Sequence, residues 1–176
     1  MEYLQQLLAT QGQLIELKKK QHLFRQGELD AHFYYVRRGF LKAYYIAESG
    51  KSFVKSFIGE NTSIACLSAC YAEQACSYSL VAQENSSLIK LPFSLLLETS
   101  QTDIKFANEM QTLLIQLAIK KEKREHDFLC LPAEQRFIQL KQQWPDLFHK
   151  VPQHEIAQYL GVTDVGLSRI KTRLRA

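Results

Sequence analysis

The hydrophobic pattern of this chain changes period near residue 100, and no single-class fold satisfies both halves. Before that point, short aromatic and β-branched runs alternate with glycine-bearing turns at intervals of about ten residues. The runs cover residues 23–24, 32–36, 40–46 and 52–58. The turns are Gln26-Gly27-Glu28, Arg37-Arg38-Gly39, Glu48-Ser49-Gly50-Lys51 and Gly59. This is the rhythm of an all-β sandwich or barrel, with Tyr34, Tyr44, Phe53 and Phe57 among the bulky residues that suit a pleated surface. Residues 79–82 and 87–91 read as two more strands, Pro92 ends that run, and residues 93–98 form a short closing helix. Residues 64–71 fit either a strand or a short helix. At the start, Leu4, Leu7 and Leu8 give a short amphipathic helix that Gly12 interrupts.

From residue 103 to 128 the period is helical. Ala107, Met110, Leu114, Leu117, Lys121, Arg124 and Phe128 alternate at +3 and +4, the a/d seam of a helix that pairs with a copy of itself. Ala107, Met110, Leu114, Leu117 and Lys121 are the expected dimer interface. The seam is apolar at first and polar later, which suits a pair that diverges. A helix lying on its own barrel would need a wider stripe, and Leu113 and Ile115 partly provide one. Leu131-Pro132 is a break. Phe137, Leu140 and Trp144 mark another helix, which Pro145 stops.

The last stretch reads as two short helices around a tight turn. Pro152 suits a helix start, Ile156, Ala157 and Leu160 share one face, and Gly161 takes the stop. Val162 is expected between the helices. Thr163 is an N-cap with Asp164 in the first turn, facing the positive helix end. Leu167, Ile170 and Leu174 form the inner face of the second helix, which is basic: from Ser168 onward there are four basic residues and no acid. This shape is a helix-turn-helix, whose second helix enters the DNA major groove. An ordinary αα-hairpin with a solvated basic face has the same spacing.

Composition narrows the classes. The chain has 176 residues, is 46% hydrophobic and carries a net charge of +4, which permits a nucleic-acid partner without demanding one. Cys66, Cys70, Cys76 and Cys130 form no CxxC pair and match no zinc or iron–sulfur spacing, so no metal is expected and free thiols are. No signal peptide and no membrane span are expected, the first because the N-terminus lacks a basic start followed by an apolar run. An enzyme built on a metal-holding barrel would need a His/Glu set, and the barrel half has only His22 and His32, which read as surface residues.

The order of parts, and the residues filling it, resembles the Crp/Fnr family of bacterial transcription regulators. In the barrel the similar stretches are Leu23-Phe24-Arg25-Gln26-Gly27-Glu28, Phe33-Tyr34-Tyr35-Val36-Arg37-Arg38-Gly39 and Gly50-Lys51. Near the C-terminus they are Pro132-Ala133-Glu134-Gln135-Arg136-Phe137, Trp144-Pro145-Asp146-Leu147-Phe148, IAQYLGVT from Ile156, and Leu167-Ser168-Arg169-Ile170. The resemblance implies an α+β chain: a jelly-roll (double-stranded β-helix) sensor barrel over residues 1–102, a long dimerisation helix over 103–130, and a helix-turn-helix over 131–176. A β-wing often follows such a unit, and Ala176 leaves little room for one. It further implies a bacterial cytoplasmic homodimer on a near-palindromic duplex operator, with RNA polymerase and an unassigned small-molecule effector as further candidate partners, and no enzyme activity.

Two departures from the family pattern sharpen this. Cyclic-nucleotide binders hold the phosphate with a Gly-Glu-Leu stretch and a following arginine, and this chain has no arginine between Arg38 and Arg124. A cyclic nucleotide would lack its phosphate partner, so none is expected and no other cofactor is assigned. The family's reading positions here hold Asp164, Val165 and Gly166. Base contacts are expected from Val165, Ser168 and Arg169, with Thr163 and Asp164 at the helix start. Phosphate contacts are expected from Lys171, Thr172, Arg173 and Arg175. The unusual reading residues keep a second possibility open: a ligand-sensing or protein-interaction module without specific DNA binding.

Overall fold

Strands that are apolar on both faces explain the architecture. In a half-exposed sheet, polar and apolar residues alternate; a near-continuous apolar run means that both faces are covered. The run Phe33-Tyr34-Tyr35-Val36 is of the second kind, and all four residues are buried. The structure is a computed structural model that describes residues 1–174.

Eight strands build the barrel: β1 (Gln13–Leu17), β2 (His22–Phe24), β3 (His32–Arg38), β4 (Leu41–Ile46), β5 (Ser52–Ile58), β6 (Thr62–Ala65), β7 (Ser79–Ala82) and β8 (Ser86–Pro92). They form two four-stranded antiparallel sheets, ordered β1-β8-β3-β6 and β2-β7-β4-β5. This is the double-sheet jelly roll. Phe24, Tyr34, Val36, Leu41, Leu80 and Leu88 fill the space between the sheets. Gly39 turns β3 into β4 at φ +109, and a Cβ there would lie 2.2 Å from the Ser86 hydroxyl, so only glycine fits. Residues 64–71 contain both alternatives: β6 runs to Ala65, and α2 (Leu67–Ala72) begins after Cys66.

Helices cover the outer face of the first sheet. Leu4 and Leu8 of α1 (Glu2–Gln11) meet Phe33 and Tyr35, whose side chains alternate with those in the barrel core. Leu96 of α3 (Phe93–Thr102) and Phe106 of α4 (Ile104–Cys130) complete this cluster. Asp103 caps α4, accepting from the Lys105 and Phe106 amides. The Glu109 carboxylate accepts from the Tyr3 and Leu4 amides at 3.2 and 2.9 Å and lies 3.5 Å from the Met1 ammonium, so α4 holds the start of α1.

The predicted seam divides in two. Met110 lies against the chain's own helical cluster, together with Leu113 of the alternative, wider stripe, and Ala107 is half-buried. Leu114 and Leu117 are 45% and 37% exposed, and Lys121 is exposed.

The C-terminal unit contains α5 (Ala133–Gln143), α6 (Leu147–Lys150), α7 (Gln153–Leu160) and α8 (Asp164–Arg173). It covers the second sheet. Phe40, Val54 and Phe57 of the barrel share one core with Phe137, Leu147, Ile156, Leu160, Leu167 and Ile170. Trp144 meets the Phe40 ring edge-on at 5.7 Å. Lys42 on β4 pairs with Glu155 on α7. Leu174 corrects one expectation. It is 45% exposed, because it follows the last helical residue and only borders a shallow depression beside Phe137 and Ile138.

Candidate functional site

The turn between α7 and α8 rests on two residues with local reasons for their identity. Gly161 takes φ +69, ψ 33, the left-handed stop that closes α7. Thr163 caps α8, its hydroxyl accepting from the Gly166 amide at 3.1 Å. The cap also accounts for Gly166: a Cβ there would approach the Thr163 hydroxyl to 3.2 Å. Helix propensity alone makes glycine here look like a loss of about 1 kcal/mol against alanine. The close cap offsets part of that.

Leu167 and Ile170 point inward, and the opposite face of α8 is open. Thr163, Asp164, Val165, Ser168, Arg169 and Thr172 are exposed, Val165 by 63%. The remaining two predicted contacts are engaged within the unit. Lys171 is half-buried with its ammonium 5.6 Å over the Phe148 ring. Arg173 pairs with Glu134 at 2.8 Å. That bridge is exposed, and such a pair contributes little and exchanges readily. Arg175 lies outside the described residues.

Sequence reasoning missed the grip of α4 on this unit. The Arg124 guanidinium lies 3.9 Å over the Tyr159 ring and donates to the Tyr159 carbonyl at 3.1 Å. Arg136 donates to the carbonyls of Phe128, Leu131 and Leu160 at 3.0, 2.8 and 2.9 Å. The Phe128 ring sits so close to the turn that a Cβ on Gly161 would be 2.6 Å away. In the sequence, Arg124 and Phe128 are only late positions of the seam, and nothing there marks their partner.

Between β5, β6, α4 and α7 lies an open cleft of about 1190 Å³. Lys55 of β5 projects into it with its ammonium 4.3 Å over the Tyr78 ring. Burial, and then the neighbouring Lys121 ammonium, push the Lys55 amine well below its ordinary pKa, and the same two causes lower Lys120. Cys66 lies in the barrel core, 3.2 Å from the Ser68 hydroxyl and 3.8 Å from that of Ser77. Burial opposes its ionisation, but hydrogen bonds from Ser68, Ser77 and Ala69 outweigh it and hold the thiol below its usual value. Cys76 lies beside Cys66 and Cys70 donates to the carbonyls of Asp30 and His32, whereas Cys130 is exposed at the end of α4, apart from the other three. Among the described residues, no group of three or more His, Cys, Asp and Glu is placed to hold a metal ion. His22 and His32 are half-exposed, hydrogen-bonded to the Tyr44 hydroxyl at 2.8 Å and to Asp30 at 3.2 Å.

The lowered Lys55 pKa fixes the sign of a pH effect. Between that native value and about 10.4 in the unfolded chain, the unfolded state carries more protons, so this residue makes stability rise with pH. Below the native value its cost is present in full. Lys55→Met therefore melts higher than the parent at mildly acidic pH, by about 3 °C per kcal/mol relieved. The gap closes as pH nears about 10. Thermal scans of both proteins across this range check it; a gap independent of pH would contradict the strained ammonium.

The comparisons agree with this geometry. A family model for the cyclic nucleotide-binding domain matches residues 14–103. No curated protein matches the chain. FixK2 from Bradyrhizobium japonicum superposes with a TM-score of 0.76 at 14% identity, over 93% of this chain and 84% of that one. CLP of Xanthomonas campestris, described as a c-di-GMP-responsive global regulator, superposes with a TM-score of 0.75 at 14% identity, over 99% and 91%. The sensor domain of the transcriptional regulator DNR from Pseudomonas aeruginosa is 26% identical, with a TM-score of 0.56 over 73% and 83%. CLP and DNR are both described as regulators. Among the described residues, no helix is long and apolar enough to cross a membrane. The matched domain takes in every strand but the first residue of β1, and the superpositions run on through α4 into the helix-turn-helix: the chain belongs to the cyclic nucleotide-binding domain family and has the fold of the Crp/Fnr regulators.

Proposed function

We propose that this protein is a homodimeric, sequence-specific DNA-binding transcription regulator that is not controlled by cyclic AMP. The observation that carries the reading is α8, capped by Thr163, anchored by Leu167 and Ile170, and open on the face bearing Val165, Ser168 and Arg169. An exposed arginine there can be bidentate to guanine O6 and N7, and Val165 offers an apolar contact to a thymine methyl. Thr172, together with Arg173 once released from Glu134, supplies phosphate contacts beside the helix-terminal amides. The exposed Leu114 and Leu117 on α4 support pairing with a second copy.

Gel-shift selection from random duplexes tests the central point. A regulator enriches a near-palindromic half-site. Absence of any enriched site would favour the second reading, a sensing or protein-interaction module, which the exposed Val165 at a base-reading position motivates. On the selected site, Arg169→Ala should cost about 1–3 kcal/mol and relax one base position. An equal loss on all sequences would reduce Arg169 to a phosphate contact. Calorimetry with cyclic AMP tests the remaining point, and micromolar binding would refute it.

A further inference from the structure

The lobe between β6 and β7 is bracketed by two buried thiols. Cys66 begins α2 directly after β6, and Cys76 brings the chain back toward β7. Between them α2 has one buried residue, Ala69, and the residues from Tyr71 to Ala75 are exposed. A lobe with so few buried apolar contacts opens locally at little cost. Its base is held more firmly. The Cys66 carbonyl accepts from the Ala69 and Cys70 amides at 2.9 and 2.8 Å. The Cys76 amide donates to the Glu28 carbonyl at 2.7 Å, and its own carbonyl accepts from the Gly27 amide at 2.9 Å. Both backbones are thus fixed, and the two side chains lie beside one another in the barrel core.

A cysteine that only fills space in a core needs no polar neighbours. Cys66 has two, the Ser68 hydroxyl at 3.2 Å and the Ser77 hydroxyl at 3.8 Å. Hydroxyls bonded to a sulfur favour its anion, which is the form that reacts. The acidities divide the two roles in the same way. Against its burial, hydrogen bonds hold the Cys66 thiol below its usual value, whereas burial pushes Cys76 and Cys70 up to about 12. Ser77 is exposed, so solvent comes within one residue of the Cys66 sulfur.

We propose that Cys66 and Cys76 are a dithiol oxidised by hydroperoxides, with Cys66 as the reacting sulfur and Cys76 as the resolving one. The Cys66 thiolate attacks one peroxide oxygen, the O–O bond breaks, and the departing oxygen takes up a proton as water or alcohol. Cys66 is left as a sulfenic acid. The Cys76 sulfur then attacks the sulfenic sulfur, the S–O bond breaks, and the thiol proton leaves with the hydroxyl as water. Two electrons have passed from the two sulfurs to the peroxide. Cys70 donates to the carbonyls of Asp30 and His32 and stays out of the exchange. The new bond joins the end of β6, in one sheet, to the segment entering β7, in the other, and closes the lobe at its base. The pair stands on its own geometry and does not require the protein to read DNA.

The test uses the reduced, full-length chain. Hydrogen peroxide is titrated in, remaining thiols are blocked with N-ethylmaleimide, and non-reduced peptides are mapped by mass spectrometry. A Cys66–Cys76 cross-linked peptide, two hydrogens lighter than its reduced parts, is expected. It should form at roughly tenfold lower peroxide than oxidation of Cys130, because thiolate character rather than exposure alone sets the order. Dithiothreitol should restore both thiols. In Cys76→Ala, Cys66 should stop at the sulfenic acid and take up dimedone. The linkage is read on the parent protein, so it decides the matter even if that variant folds poorly. Oxidation of Cys130 ahead of Cys66 overturns the proposal, as does a Cys66–Cys70 link or oxidation of Cys66 that dithiothreitol does not reverse.

Discussion

Glu155→Ala is expected to destabilise the protein by about 3–5 kcal/mol. Glu155 on α7 and Lys42 on β4 form an ion pair in which the side chains are only 12% and 14% exposed. Removing the acid leaves the ammonium in the seam between barrel and helix-turn-helix with no counter-charge, and that is the costly way to break a buried pair. Keeping the pair is less valuable than breaking it is harmful: the Glu155 Oε2 atom has no hydrogen-bond partner among the described residues. Lys42→Met combined with Glu155→Leu should therefore recover most of the loss. Urea unfolding of the parent and the two variants measures this. A loss below about 1 kcal/mol for Glu155→Ala, the range of a solvated surface pair, would mean that the seam is open to water.

Gly161→Ala should cost about 3 kcal/mol, from left-handed strain together with overpacking. The two parts can be separated. The strain belongs to the backbone at φ +69, and the overpacking to the Phe128 ring, 2.6 Å from the new Cβ. Trimming the ring in Gly161→Ala, Phe128→Leu should return the second part and leave the first. Thermal unfolding read at the α7–α8 unit distinguishes them. If the double variant is no better than the single one, α4 does not touch the turn in solution.

What the sequence makes legible here is what short-range chemistry determines. The strand rhythm, the helix stop at Gly161, the Thr163 cap and the inward pair Leu167 and Ile170 each depend on residues within a few positions of one another, and all appear as expected. The failures share a different cause. Leu174 continues the helical period, but the helix ends at Arg173, and periodicity cannot see where a neighbouring surface stops. The Lys42–Glu155 pair joins residues 113 positions apart, and Arg124 reaches a carbonyl 35 positions away. Nothing local marks either. One long-range clue was readable: β5 carries Val54 and Phe57 as well as Ile58, more apolar surface than one barrel face needs, which signals a second layer on that side. Lys55 of β5 is far in the sequence from Lys120, Lys121 and Arg124 of α4, and only the fold brings them to one recess.

Helix α4 is held near both ends. At its start Glu109 fastens α1, and at its far end Arg124 and Phe128 hold the α7–α8 unit. With 27 residues it is a rod of about 40 Å, so a tilt of about 10° at one end displaces the other by about 7 Å. Its middle, around Leu114 to Lys121, is the part its own chain leaves uncovered. A force applied there acts on a lever, and in the DNA-bound dimer proposed above half-site spacing is the quantity such a lever would set.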